Sequence, residues 1–205
     1  MEPVLYPTLI EIPSTLKGKQ ILLRPLEASD AEPMHAAIAD SQAHLAPWVS
    51  WLDRQSTLDQ TRDYCVRCAA NWLLRNDLTF GIFSLEGGGY LGGAGLHNPD
   101  WQLRSFSVGY WLRAAATGRG YATEAASLLA NLAFATLQAN RLELRCDPRN
   151  APSQRVAERV GFVLEGRLRN VFLDPQGQAA DYLVFSLTPD DRAANHDDLP
   201  QLHHD

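Results

Sequence analysis

The residues between a predicted strand at 106–112 and a predicted helix through 122–136 have the types and spacing of an anion-binding site. Gly118-Arg119-Gly120 connects the two elements, and glycine lets a ligand approach the backbone closely because it has no β-carbon. The first turn of a helix also exposes unpaired N–H groups and the positive end of the helix dipole. With Arg113 and Arg119 close by, the segment is predicted to hold a phosphate group.

Two nucleotide-binding motifs share features of this segment but do not fit it. A dinucleotide-binding loop has a third glycine where this chain has Thr123, and it normally opens its domain. The phosphate loop of nucleotide hydrolases needs Gly-Lys-Ser or Gly-Lys-Thr, and the sequence contains neither. The motif alone leaves a simple helix-entry turn open as the alternative.

Charge is distributed unevenly along the chain. Residues 100–170 carry ten arginines and six acids, a balance of +4, whereas the whole chain has a net charge of -6 and the remainder therefore carries -10. This pattern favours a small anionic ligand within the window and a cationic partner elsewhere. General nucleic-acid binding is disfavoured because it needs a basic face. Arginines that only solvate exposed faces are the other interpretation.

A second cluster of motifs follows the glycine loop. It consists of Arg145-Cys146-Asp147-Pro148-Arg149-Asn150, then Ser153-Gln154-Arg155 and Arg159-Val160-Gly161-Phe162. In this order the motifs resemble the GNAT acetyltransferase superfamily, and within it the RimJ/RimL-like branch that acetylates protein N-termini, notably those of ribosomal proteins. The resemblance covers residues 18–187 and implies direct acetyl transfer from acetyl-CoA to an amine, with no metal.

The resemblance also implies a position for each part of acetyl-CoA. The pantetheine arm would pair with the backbone of Trp111, Leu112 and Arg113. The pyrophosphate would be held by N–H groups of the turn and first helical residues: Thr117, Gly118, Arg119, Gly120, Tyr121 and Ala122. The thioester would lie near Asn150 and Ser153, and the outer end of the molecule near Arg155 and Arg159. Relatives often carry Gln or Arg where this chain has Ala115, so backbone groups and other arginines must make the phosphate contacts.

Acetyl transfer from a thioester requires a neutral amine, stabilisation of the oxyanion and a proton for the leaving thiolate. Ser153 is the candidate proton donor, and an ordinary helix N-cap is its other interpretation. Asn150 is placed beside it as a hydrogen-bond partner of the donor or the turn, and a backbone N–H within 109–112 would stabilise the oxyanion. Glu143 is a base, a substrate contact or a solvated strand residue, and the helix dipole favours Glu124 at its position whatever its function.

The absence of an evident base favours one class of acceptor. An α-amine is roughly 10 to 15% neutral at pH 7, whereas a lysine is neutral in about one molecule in 2500. The N-terminal amine of a protein or peptide is therefore the leading acceptor. A small amine (polyamine, amino-acid conjugate or aminoglycoside) and a CoA-binding sensor without turnover remain alternatives. Trp48, Trp51 and His97 are candidate contacts of the acceptor. The alternative interpretation of the two tryptophans is a hydrophobic lid packed on the domain, and that of His97 is a structural role.

The elements that must position these residues predict a mixed α/β GNAT fold. The sheet is expected to be mostly antiparallel with six to seven strands, flanked by helices and splayed in the middle so that acetyl-CoA inserts between strands 106–112 and 142–146. Residues 1–188 form the predicted domain, and residues 189–205 a flexible C-terminal tail. Cys65 and Cys68 are predicted to be buried thiols. The chain lacks an export signal or an apolar run of membrane-spanning length, so we expect a cytoplasmic protein, and a homodimer stays open.

Overall fold

A computed structural model describes residues 6–49, 56–174 and 176–194. Eight strands lie in one sheet: β1 (Leu16–Lys17), β2 (Ile21–Pro25), β3 (Leu78–Ser84), β4 (Tyr90–Asp100), β5 (Ser105–Leu112), β6 (Arg141–Cys146), β7 (Val163–Leu173) and β8 (Ala179–Leu187). The helices are α1 (Ala31–Ala39), α2 (Gln42–Leu45), α3 (Leu58–Leu74), α4 (Tyr121–Asn131), α5 (Ala151–Val160) and α6 (Pro189–Ala194). The strand beyond the predicted six to seven is the two-residue β1, which is too short to give a sequence pattern.

The sheet has the order β1-β2-β3-β4-β5-β6-β8-β7, and every neighbouring pair is antiparallel except β5 and β6. The parallel pairing is short, from Ser105 opposite Arg141 to Ser107 opposite Glu143. Beyond these residues β5 continues to Leu112 and β6 to Cys146 without pairing to each other. The predicted splay between the two strands is confirmed, and it opens toward their C-terminal ends.

The two faces of the sheet are buried against different helices. On one face Phe80, Leu96 and Phe106 pack in a large apolar cluster with Leu128 and Leu129 of α4. Burial of each such side chain contributes about 1.5–3 kcal/mol. On the other face a smaller cluster joins Phe83 and Tyr90 to α1 and α3, and Trp111 packs against it. Because side chains alternate along a strand, neighbouring residues of β5 reach opposite sides of the sheet.

Local sequence signals account for the ends of several helices. Thr57 and Gln60 form a reciprocal cap at the start of α3. Gly161 follows α5 with φ +96°, a left-handed conformation that glycine adopts without strain. The helix predicted to reach Thr136 ends at Asn131, because residues 132–136 form a π-helical turn.

Residues 189–194 differ from the predicted flexible tail, which was expected to begin at residue 189. They form α6, and Arg192 anchors this helix by donating hydrogen bonds to the Ala130 carbonyl and the Asn131 side chain. The polar composition gave no sign of this anchor, because its partners lie more than 60 residues away. Cys65 and Cys68 are buried free thiols, as predicted. Among the helices that the structure describes, none combines the length and apolar character needed to span a bilayer.

Candidate active site

A cavity of about 570 Å³ lies beside the open end of the splay, walled by the end of β5, the N-termini of α4 and α5, and the segment around α2. Most of the predicted site residues line it: Trp48, Trp111, Leu112, Thr117, Gly118, Gly120, Tyr121, Ala122, Asn150, Ser153, Arg155 and Arg159. Arg113, Arg119, Glu143 and His97 are not among the lining residues. Trp51 lies outside the described residues.

The turn before α4 exposes backbone amides to this cavity. Gly118 and Gly120 have φ of +76° and +83°, and a β-carbon added at either would meet nothing within 4 Å. The amides of residues 118–123 have no acceptor among the described residues, because α4 makes its first backbone bond from Glu124 to Gly120 and has no side-chain cap. The N-terminus of α4, a helix of 11 residues, is thus open to an anion.

Two arginines add positive charge at the same cavity. Arg155 and Arg159 are one turn apart on α5, both exposed, and neither forms an ion pair with a described acid. Arg119 is likewise exposed and unpaired within the described residues, at the turn itself. Arg113 differs from the expectation that its side chain is free for a ligand, because its guanidinium lies 3.4 Å from the Asp40 carboxylate.

One edge of β5 is available for an extended ligand. On its other edge the strand is paired with β4 as far as Gly92 opposite Leu112, and the Arg113 amide continues this ladder to the Leu91 carbonyl at 2.8 Å. On the side that faces β6, pairing stops at Ser107. The backbone groups of β5 beyond Ser107 can therefore form hydrogen bonds with an extended ligand that enters the splay.

Tyr110 and Ser153 form a hydroxyl pair in the cavity. Their oxygens lie 2.9 Å apart, and burial raises the pKa of Tyr110 to about 12 while its hydrogen bond with Ser153 opposes that rise. The phenol therefore remains protonated near neutral pH and can supply a hydrogen bond to the serine oxygen. Tyr110 was not predicted as a site residue. Because side chains alternate along a strand, the sequence could have predicted that Tyr110 lies on the same face as Phe106 and Val108. Nothing in the sequence predicts its contact with Ser153.

Asn150, rather than Ser153, is the N-cap of α5. Its side-chain oxygen accepts a hydrogen bond from the Ser153 amide at 3.2 Å, and Pro152 occupies the first turn. This corrects the alternative interpretation of Ser153 as the N-cap, and α5 begins at Ala151. The Ser153 hydroxyl is consequently free of capping and contacts Tyr110 and the buried thiol of Cys146, whose pKa burial raises to about 11.

The two predicted candidate glutamates both have structural partners. The carboxylate oxygens of Glu143 accept hydrogen bonds from Arg145 at 2.6 Å and Arg141 at 3.2 Å. Glu124 accepts from the backbone amides of Lys19 and Gln20, so it fastens α4 to the turn between β1 and β2. The geometry therefore supports neither carboxylate as the proton acceptor for an amine.

The remaining acceptor candidates lie on different sides of β5. Trp48 is partly exposed and lines the cavity with Leu45 and Val49. His97 lies on β4, on the sheet face that carries Glu143, and its Nδ1 is 2.8 Å from an oxygen of Asp77. Asp77 was not predicted, and its distance of 20 residues from His97 leaves no local signal.

Comparison with known proteins identifies related sequences over most of the chain. Residues 20–163 match a family model described as the acetyltransferase (GNAT) domain. A Bacillus subtilis (strain 168) protein named "Putative ribosomal N-acetyltransferase YdaF" is 31% identical over 174 residues, which are 83% of this chain and 92% of that protein. The "Probable N-acetyltransferase YjcK" of the same organism is 32% identical over 180 residues, covering 86% and 98%.

A solved structure shares the fold. Mycobacterium smegmatis RimJ, in complex with CoA-disulfide, superposes with a TM-score of 0.79 and 25% identity, and the match covers 96% of this chain and 98% of RimJ. The comparison therefore extends beyond residues 20–163 to nearly all of the chain.

Proposed function

The chain belongs to the GNAT acetyltransferase family and is an N-acetyltransferase, and from this premise we propose that it transfers the acetyl group of acetyl-CoA to the N-terminal α-amine of a protein or peptide. One observation carries the proposal: the open amides before α4 and the Tyr110–Ser153 pair face the same cavity. Acetyl-CoA is the donor substrate of this reaction and supplies an activated acyl group.

The residues present fit such a donor. A diphosphate needs several donors and positive charge, and the cavity offers the amides of 118–123 with Arg155 and Arg159. The missing Gln or Arg at Ala115 is compensated by these groups. The free edge of β5 beyond Ser107 suits the two amides of a pantetheine arm. A backbone N–H on that edge would stabilise the oxyanion.

Ser153 is proposed as the group that protonates the leaving thiolate. Its hydroxyl is not used in capping, and Tyr110 holds it at 2.9 Å. A hydrogen bond from the phenol to the serine oxygen stabilises the negative charge that develops when Ser153 gives up its proton. Asn150 contributes by fixing the first turn of α5, and so the position of Ser153, rather than by proton transfer.

A protein N-terminus is favoured over other amines for two reasons. At pH 7 an α-amine needs far less help with deprotonation than a lysine, about a tenth of molecules being neutral already. The name of one relative points to a ribosomal acceptor, since YdaF is named a putative ribosomal N-acetyltransferase. Trp48 provides an apolar wall for the first residues of the acceptor.

The proposal is tested by CoA release with a panel of acceptors. We expect release with peptides that have free N-termini, including those of ribosomal proteins. The same peptides with an acetylated N-terminus and an internal lysine are the matched control and should give none. CoA release only with polyamines or aminoglycosides would show that the acceptor is a small amine rather than a protein N-terminus. Saturable acetyl-CoA binding without CoA release in the presence of any amine would indicate a sensor.

A further inference from the structure

Asp77 and His97 form a carboxylate–imidazole pair on the sheet face opposite Tyr110 and Ser153. Asp77 accepts at both oxygens: His97 Nδ1 lies 2.8 Å from one, and the Thr79 hydroxyl donates to the other at 2.5 Å. An ionised carboxylate only accepts hydrogen bonds, so Nδ1 must carry the ring hydrogen. In the neutral ring, Nε2 is then the nitrogen with the free electron pair.

Two glycines make room for this ring on the surface of the sheet. Gly95 and Gly109 are directly opposite each other on β4 and β5. A β-carbon on Gly95 would lie 2.6 Å from Cε1 and 2.8 Å from Nε2 of His97, and one on Gly109 would lie 3.0 Å from Cδ2 and 3.1 Å from Nε2. Any other residue type at these positions would displace the imidazole, so the backbone is built to hold it.

The ring lies where β5 and β6 separate. Gly109 is only two residues beyond Ser107, the last residue of β5 that pairs with β6. His97 is directly opposite Ser107, and Glu143 is opposite Ser107 on the other side. Nε2 of His97 therefore lies above the closed end of the splay. Tyr110, which follows Gly109 on β5, points to the other face of the sheet and contacts Ser153.

The surroundings leave Nε2 as the available proton acceptor at this point. It has no hydrogen-bond partner among the described residues, and the His97 side chain is 33% exposed. Burial raises the pKa values of Tyr64 and Cys68 on α3, and the Asp77 charge adds to both shifts, so these groups stay protonated near neutral pH. Glu143 is engaged by two arginines.

We propose that His97, positioned by Asp77, is the general base that deprotonates the acceptor amine. The inference rests on the proposed function and adds the base to it. The ammonium gives one proton to Nε2 and the neutral nitrogen then forms the C–N bond to the acyl carbon as the C–S bond breaks. The nitrogen releases its second proton to solvent, the Ser153 oxygen takes back from solvent the proton that it gave to the thiolate, and His97 returns its own proton to solvent.

The acceptor's own ionisation supplies a test that a structural role would not pass. At pH 7 roughly nine tenths of an α-amine is protonated, whereas at pH 9 more than about 90% is neutral without a base. His97→Ala should therefore lower kcat about tenfold or more at pH 7 and by less than about threefold at pH 9. Imidazole in the buffer should restore part of the loss, and the Kd for acetyl-CoA should be unchanged.

Asp77→Asn and His35→Asn complete the experiment. Asp77→Asn keeps the side-chain shape but can donate to Nδ1, so it should reduce kcat in the same pH-dependent way. His35 contacts Thr61 between α1 and α3, and its replacement by Asn should leave kcat unchanged. A His97→Ala enzyme with normal kcat at pH 7, or with an equal loss at pH 7 and pH 9, would overturn the proposal.

Imidazole ¹⁵N spectra separate this proposal from the proposed function. The wild-type protein should show an unprotonated Nε2 in the neutral ring, and Asp77→Asn should change that tautomer. If the wild type acetylates no amine, the proposed function fails and the catalytic assignment fails with it, but the spectra still report on the pair. If it acetylates peptides and the tautomer is the same in both proteins, only the Asp77–His97 inference fails.

Discussion

Seven arginines of the basic window form two groups with different surroundings. Four of them, on β6, β7 and the loop after β6, are bound to acids: Arg141 to Glu165, Arg145 to Glu143, Arg149 to Asp147 and Arg167 to Asp181, each at 2.6 Å. Those at the cavity and its entrance turn (Arg119, Arg155 and Arg159) have no acidic partner among the described residues. The net charge of the window does not reveal this difference. Ion pairs with acidic residues decide which arginines remain free to bind an anion.

The helix N-termini at the cavity show the same contrast. α5 is closed, because Asn150 accepts a hydrogen bond from the Ser153 amide and Pro152 has no N–H to offer. α4 is open, because Gly120 has no side chain with which to cap it. Under the proposed function, these two neighbouring helix N-termini serve different purposes: one fixes the proton-donating hydroxyl and the other binds phosphate oxygens. The following predictions test this division.

The largest expected effect is the loss of donor binding in Gly120→Val. A β-branched side chain at φ +83° is strained and obstructs the amides, and losing about two charge-assisted hydrogen bonds weakens binding about 100-fold. Calorimetric titration with acetyl-CoA measures this. Gly88→Val is the matched control, since Gly88 has φ +69° and equally open space in the β3–β4 turn. Similar weakening in both variants would mean that strain, rather than the open amides, controls binding.

A smaller effect, on turnover alone, is expected for Ser153→Ala. Without the hydroxyl the thiolate must take its proton from water, so kcat should fall at least about tenfold while the Kd for acetyl-CoA stays within about twofold. Ser153→Thr keeps a hydroxyl and should recover part of the activity. Tyr110→Phe should lower kcat less than Ser153→Ala, because it removes only the supporting hydrogen bond. Normal turnover in Ser153→Ala would reduce Ser153 to a structural residue.

The two arginine groups are compared directly by a pair of double variants. Arg155→Gln with Arg159→Gln should weaken acetyl-CoA binding about tenfold and make it less salt-dependent, since each loses an ionic contact with phosphate. Arg145→Gln with Arg167→Gln removes the same charge from the paired group and should change the affinity less than about twofold. Equal losses would show that the window acts through its overall field.

Much of the site could be predicted because its signals are local. The strand, the glycine turn and the uncapped helix occupy residues 105–131 consecutively, and glycine at positive φ leaves a clear trace in the sequence. The mostly antiparallel sheet and its splay between strands 106–112 and 142–146 followed from the resemblance. For Glu143 a local signal was also present: alternation in Arg141-Leu142-Glu143-Leu144-Arg145 places the two arginines on the same face as the glutamate, which indicates pairing.

The contacts that sequence could not supply are those made by strand register and helix placement. Tyr110 and Ser153 are 43 residues apart, and Asp77 and His97 are 20 apart. Each pair depends on which strands are neighbours and on a register that a shift of one residue would reverse. The position of Gly95 opposite Gly109, which leaves space for His97, is likewise a property of the register.

The smallest effect concerns the stability that the paired group contributes. The hydrogen bond from Arg141, followed by that from Ser186, lowers the pKa of Glu165 to about 2. Because the folded state holds the ionised form, this contribution is present above the unfolded value of about 4.3 and is lost as the pH falls toward 2. Glu165 is largely exposed, so Glu165→Gln should cost only about 0.2–1 kcal/mol at pH 7.

The difference between the free energies of unfolding of wild type and Glu165→Gln should therefore shrink as the pH falls below about 4.3. Glu158→Gln is the control, since Glu158 is exposed on α5 beside the unpaired arginines and has no ion-pair partner among the described residues. It should leave stability unchanged across the same range. If Glu165→Gln matches wild type at every pH, the Arg141–Glu165 pair contributes no net stability.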